Sequence, residues 1–147
     1  MTNAPDISLA ISLFSEILTI DQLVRNRISK ALPKGMELSH FTLLNHLVHI
    51  GDERTPAQLA KTFHLTRGAL SNTLSRMERQ GYVHVRPDWD DARRKLVAIS
   101  PAGRVARDQA VSAIIPLVQE ALADMGADKM RVAVPILRDL RIRLADD

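Results

Sequence analysis

Between Thr55 and Ile99 the chain holds two closely spaced helix starts, a helix stop and then two runs of alternating apolar residues. Few folds accept that order. Thr55 is a good N-cap, Pro56 suits the first helical position, and Gln58 sits where a capping-box partner belongs. Leu59, Ala60 and Phe63 follow as a short apolar face. Thr66 can cap a second helix, whose apolar residues Leu70, Leu74 and Met77 recur at i, i+4 and i+7. Gly81 supplies a left-handed stop. Two short helices joined by about three residues make a helix-turn-helix.

Beyond the stop, Val83 and Val85 alternate with His84 and Arg86, and Val97 and Ile99 alternate with Ala98 and Ser100. Period-two patterning on both arms predicts a β-hairpin with one face toward a core. Its loop is too long for a tight turn and carries Asp88, Asp90, Asp91, Arg93, Arg94 and Lys95. A hairpin set directly after a helix-turn-helix is a wing, so the expected fold is mainly α with a small β wing.

The solvent side of the second helix has the chemistry of a DNA reader. Arg67, Gly68, Ser71, Asn72, Ser75, Arg76 and Arg79 fall away from the Leu70/Leu74/Met77 stripe. Small and polar groups near the helix start let the backbone approach a major groove, and Arg and Asn can bond bidentately to guanine and adenine edges. A solvated helix face would read the same; the basic hairpin beside it tips the balance. We expect Arg67, Ser71, Asn72 and Arg76 to read the major groove, with Thr55, Lys61, Thr66 and Ser75 fixing the backbone register. Arg93, with Arg94 or Lys95, can reach a minor groove or flanking phosphates. Asp91 is expected to hold Arg93 extended rather than to bind metal. Charge agrees: from Arg54 to Arg107 there are 11 Lys/Arg against 4 Asp/Glu, a balance of +7, while the rest holds 9 against 13, or −4. The basic middle is where an anionic partner belongs.

The run from Leu38 to Gly103 resembles the MarR family of winged-helix transcription regulators. Asp91-Ala92-Arg93 followed by Leu96-Val97-Ala98-Ile99-Ser100-Pro101-Ala102-Gly103 is similar to that family's wing, and Leu74 to Val83 to the end of its recognition helix. The resemblance implies a homodimer on a pseudo-palindromic operator of double-stranded DNA, often released by a small aromatic or amphipathic effector. It makes Arg93 the minor-groove arginine and Asp91 its support, with residues 66–76 toward the major groove. It implies one domain over residues 1–147: a winged-helix part at 36–100, with dimerisation helices at 1–35 and 101–147. It assigns nothing to Trp89, which is expected to pack within the wing rather than touch DNA.

The ends of the chain read as assembly helices. Ile7, Ala10, Ile11, Phe14, Ile17, Leu18, Val24 and Ile28 mark one helical face, and Leu9, Leu13 and Ile20 a second. Two apolar faces suit a helix packed on its own core and on a second subunit. Val105, Ile114, Ile115, Val118, Ala121, Leu122 and Met125 continue the pattern, broken near Met125–Asp128. Met130, Val134, Leu137, Leu140 and Leu144 resume it. Pro116 and Pro135 are expected to kink these segments or end their regular bonding. The apolar run from Ile7 to Ile20 is too short for a bilayer and lacks a basic start, so a cytoplasmic protein is expected, with no membrane partner.

Several other chemistries have little support. With no cysteine, disulfides, thiolate nucleophiles and thiol redox sensing are excluded. His46 and His49 at i, i+3, with His40 upstream, have the spacing of a zinc site, but no further ligand stands near them in sequence. Asp88, Asp90 and Asp91 resemble a calcium loop, but Arg93 holds the place of the required Gly. No nucleophile-elbow, zinc-protease or phosphate-loop motif occurs, so no catalytic residue, metal or cofactor is expected. Arg25, Arg27, His40 or His46 could meet an effector's carboxylate, or serve as ordinary surface or packing groups; the pocket residues are not legible. The alternative function is a winged helix that docks an acidic protein without reading DNA.

Overall fold

The caps set the elements. In the computed structural model, which describes residues 4–145, the chain divides into two compact units that meet between Ile114 and Ile115. The first holds α1 (Ala4–Ala31), α2 (Leu38–Ile50), α3 (Pro56–Thr62), α4 (Arg67–Arg79), β1 (Val83–Pro87) and β2 (Lys95–Ile99). Helix α5 (Pro101–Leu122) begins in the first unit and ends in the second, which also holds α6 (Ala127–Ala145).

Strands β1 and β2 pair antiparallel, with Val83 opposite Ile99 and Val85 opposite Val97. Val83 and Val97 are buried, as period-two patterning requires. An unanticipated third rung lies on the other edge of β2: Val97 donates to the Arg54 carbonyl at 2.7 Å and accepts from the Arg54 N–H at 3.1 Å.

Leu43, Leu44 and Leu47 of α2 meet Leu59 and Ala60 of α3, and Leu70, Leu74 and Met77 of α4, in one core closed by Val83 and Val97. Truncating any of the buried leucines should cost about 2–5 kcal/mol. Helix α5 joins this core through Gly103, Ala106, Ala110 and Ile114. Of the apolar residues the sequence pattern marks on this segment, Ile114 is buried in the core, while Val105, Ile115 and Val118 are exposed. Small residues were the packing face because α5 lies close. Ser100 locks its start: the Gly103 N–H donates to Ser100 Oγ at 2.9 Å, the Ser100 N–H to the Tyr82 carbonyl at 3.0 Å, and the Ser100 hydroxyl to the Gly81 carbonyl. Arg107 ties α5 to α2 through Asn45 Oδ1, at 3.1 and 3.0 Å.

Helix α1 departs from expectation. From Asp6 to Arg27 only Ile17 is half-buried; contact with the core begins at Ile28 and deepens at Leu32. A 28-residue helix is about 42 Å long, more than this core can cover. Leu9, Leu18 and Leu23 are 69, 70 and 57 % exposed. By length and composition Asp6–Ala31 is apolar enough to cross a membrane, with a mean hydropathy of 1.6 in its most apolar stretch. The sequence estimate fell short because it ended the apolar run at Ile20, whereas the helix continues past it.

In the second unit, α5 ends and α6 begins on either side of Gly126, whose φ is +78°. Pro116 and Pro135 lie inside α5 and α6, and both helices continue beyond them rather than ending. No residue of α6 is buried.

Candidate nucleic-acid interface

Each helix of the helix-turn-helix starts on a threonine. Thr55 Oγ1 accepts from the Gln58 N–H at 3.1 Å while Gln58 Oε1 accepts from the Thr55 N–H at 2.9 Å, a reciprocal capping box. Thr66 Oγ1 accepts from the Ala69 N–H at 3.1 Å. The turn between them rests on a residue the sequence reading missed. His64 has φ +53°, and the Leu65 N–H reaches back to the Ala60 carbonyl at 2.9 Å, so a histidine takes the left-handed place glycine usually fills. At the far end of α4, Gly81 has φ +79°; its N–H donates to the Glu78 carbonyl, and the Tyr82 N–H to that of Met77 at 2.9 Å.

Burying Leu70, Leu74 and Met77 turns the opposite side of α4 outward, so Arg67, Ser71, Asn72, Ser75 and Arg76 are all exposed. Their commitments differ. Arg76 Nη1 donates to Glu37 Oε1 at 3.2 Å, which draws it toward the start of α2. Ser75 offers its carbonyl to Arg79 Nε at 3.3 Å.

The wing loop is closed by its own charges. The Asp88 N–H donates to the Arg94 carbonyl at 3.0 Å, and Arg94 Nη2 donates to the buried Asp88 carboxylate at 2.8 Å. Asp91 accepts from both the backbone N–H and Nε of Arg93 at 3.1 Å, leaving the Arg93 side chain 90 % exposed. The Asp90 N–H and then Arg94 hold the Asp88 carboxyl below the usual carboxylate range; the Arg93 side chain and then its N–H do the same for Asp91. Asp88 was missed as a structural partner. Its i, i+6 spacing from Arg94 carries no periodic signal.

One groove of about 430 Å³ brings together Thr55, Arg67 and Ser71 with Arg93, Arg94 and Lys95; Pro56, Ala57 and Leu70 complete its lining. Lys61, Thr66, Asn72, Ser75, Arg76 and Asp91 lie outside that lining. The groove is cationic on both walls and too open to enclose a small molecule by itself.

One expectation fails here. Trp89 does not pack into the wing: it is 78 % exposed, with the Arg86 guanidinium 5.4 Å from its ring. Arg86 is occupied in turn by Glu53, to which it donates twice, once at 2.9 Å from Nε. The histidines have structural partners. His46 packs edge-on to Phe63 at 5.3 Å, and His40 is buried with Nδ1 accepting from the Glu37 N–H at 3.3 Å. Arg25 pairs with Asp21 on α1.

A family model described as the MarR family matches residues 34–94, from the turn before α2 to the wing tip. Over those residues the chain is similar to the MarR family. The MarR-like fold extends along the chain. A mutant of E. coli MarR complexed with operator DNA is 23 % identical, with a TM-score of 0.79 over 95 % of this chain and 99 % of that one. The regulator BldR from Sulfolobus solfataricus is 24 % identical, with a TM-score of 0.78 over 99 % and 100 %. An organohalide-sensing regulator in its 2,4-dichlorophenol-bound form is 20 % identical, with a TM-score of 0.80 over 93 % and 82 %. No curated protein sequence matches the chain significantly. At these identities the structural likeness is one of fold, that of MarR-family transcriptional regulators.

Proposed function

We propose that the protein is a sequence-specific, DNA-binding transcriptional repressor acting as a homodimer on a pseudo-palindromic operator. One observation carries this: the cationic groove in which α4 contributes Arg67 and Ser71, and the wing contributes Arg93, Arg94 and Lys95. Asn72 and Arg76 extend the reading surface along α4, while Lys61, Thr66 and Ser75 meet phosphates. The exposed leucines of α1 are the surface a second copy covers. Residues 1–35 and 101–147 then set two reading heads about 34 Å apart, one turn of B-DNA. On this reading residues 1–147 form one regulator domain, working in the cytoplasm without a catalytic residue, metal or cofactor. A small aromatic or amphipathic effector releases it; one structural neighbour was solved with 2,4-dichlorophenol, and in another, BpsR from Bordetella bronchiseptica, DNA binding is regulated by 6-hydroxynicotinic acid.

Binding to a random duplex near about 50 mM salt, lost steeply as salt rises, is the expected signature of counterion release. No binding at low salt would favour a protein-docking winged helix. Sequencing genomic fragments retained by the immobilised protein should then return one palindromic motif.

A further inference from the structure

Trp89 is the chain's one tryptophan, and it stands on the wing almost fully in water. A scattered exposed leucine needs no account, but an open indole on a rigid tip does. The tip is rigid by construction. The Asp88 and Arg94 backbones are bonded at 3.0 Å, their side chains at 2.8 Å, and the Asp90 N–H donates to Asp88 Oδ1 at 3.0 Å. Trp89 sits between the two residues so fixed.

Beneath the ring lies Arg86, whose guanidinium is engaged at all three nitrogens: Nε and Nη2 donate to Glu53, and Nη1 donates to the Pro87 carbonyl at 2.9 Å. Arg86 is therefore a pedestal for the indole, not a hand for a phosphate. A pre-positioned aromatic loses little conformational freedom when it docks. Its neighbours along the loop name the occupant. Asp90 beside it is exposed, but Asp88 and Asp91 are matched by Arg94 and Arg93, which stay 58 and 90 % exposed, and Lys95 follows them. The loop's exposed cations thus suit an anionic partner that also offers apolar faces. The sugars and phosphates of duplex DNA provide both.

We propose that Trp89 is a second contact of the wing with DNA, its indole laid against the sugar wall of the groove that Arg93 enters. This rests on the DNA-binding function proposed above. Trp89 does not line the groove shared by α4 and residues 93–95, so its contact falls on sequence flanking the half-site.

The test uses the full chain and a labelled duplex carrying the selected motif with long flanks. Tryptophan emission, excited where Tyr82 does not absorb, reports Trp89 alone, and anisotropy of the label reports binding independently. Tryptophan emission should change along the anisotropy curve. Trp89→Ala should weaken binding about five- to thirtyfold with an unchanged salt slope, because an indole displaces no counterions. Trp89→Phe should keep part of the loss from appearing, and trimming the flanks should erase the difference between wild type and Trp89→Ala. Binding with constant emission, or Trp89→Ala binding as tightly as wild type, overturns the contact while leaving the DNA function intact. A changed slope overturns it too, since it would mean that Trp89 acts only by placing the arginines. No anisotropy change with any duplex overturns both.

Discussion

A Cβ on Gly103 would stand 2.1 Å from the carbonyl oxygen of Tyr82. That carbonyl also receives the Ser100 N–H, so it cannot retreat without opening the junction between wing and α5. Gly103→Ala should therefore destabilise the fold by about 1–3 kcal/mol through overpacking, although alanine favours a helix by about 1 kcal/mol. Denaturant midpoints decide it; a midpoint equal to or above wild type would refute the crowding.

Arg93 is held by Asp91 yet open to solvent. Arg93→Ala should weaken DNA binding and lower the salt slope by about one. Asp91→Asn should weaken binding less and leave the slope near wild type, since the arginine's charge remains. A titration at several salt concentrations separates the two; an unchanged slope in Arg93→Ala removes the phosphate or minor-groove role.

His40 gives stability a pH dependence. With Nδ1 accepting from Glu37, its proton sits on Nε2, which is buried and has no hydrogen-bond partner. Burial holds the pKa below the ordinary histidine value; the nearby Glu37 carboxylate opposes this and Arg76 reinforces it. The folded state thus resists a proton that the unfolded chain accepts near about pH 6.5. Stability should be intact above that pH, fall as pH drops through it toward the lower folded value, and then level off. His40→Gln keeps a capping-box side chain at this position without the titration. Its melting temperature should fall less between about pH 7 and pH 5, the remainder coming from His46, which burial also shifts down. Parallel curves for the two proteins would exclude His40.

Leu18, 70 % exposed on α1, tests assembly. Leu18→Glu should move sedimentation from dimer toward monomer and reduce operator affinity, while far-ultraviolet circular dichroism of the separated monomer stays helical. A wild-type chain that sediments as a monomer at micromolar concentration would sink the assembly reading.

Legibility followed locality. The two threonine caps, the Leu70/Leu74/Met77 face and the Gly81 stop depend on residues within a few places of one another, and all were readable. So was the Asp91–Arg93 pair, two residues apart. The Arg54 rung, the Glu53–Arg86 pair across 33 residues and the Arg76–Glu37 pair across 39 depend on where the chain returns, which no local pattern encodes. The α5 face was legible only at Ile114, for a different reason. Gly103, Ala106 and Ala110 pack because they are small, whereas hydrophobicity draws attention to bulk.

The Arg54–Val97 rung stands one residue ahead of the Thr55 cap. The strand that carries the wing is thereby bolted to the start of the helix-turn-helix, and tilting one drags the other. On the proposed function, such a reader has a fixed gauge. It cannot widen its grip to suit a sequence, so selectivity would include how readily a given duplex bends or narrows to fit, even at base pairs no side chain reaches.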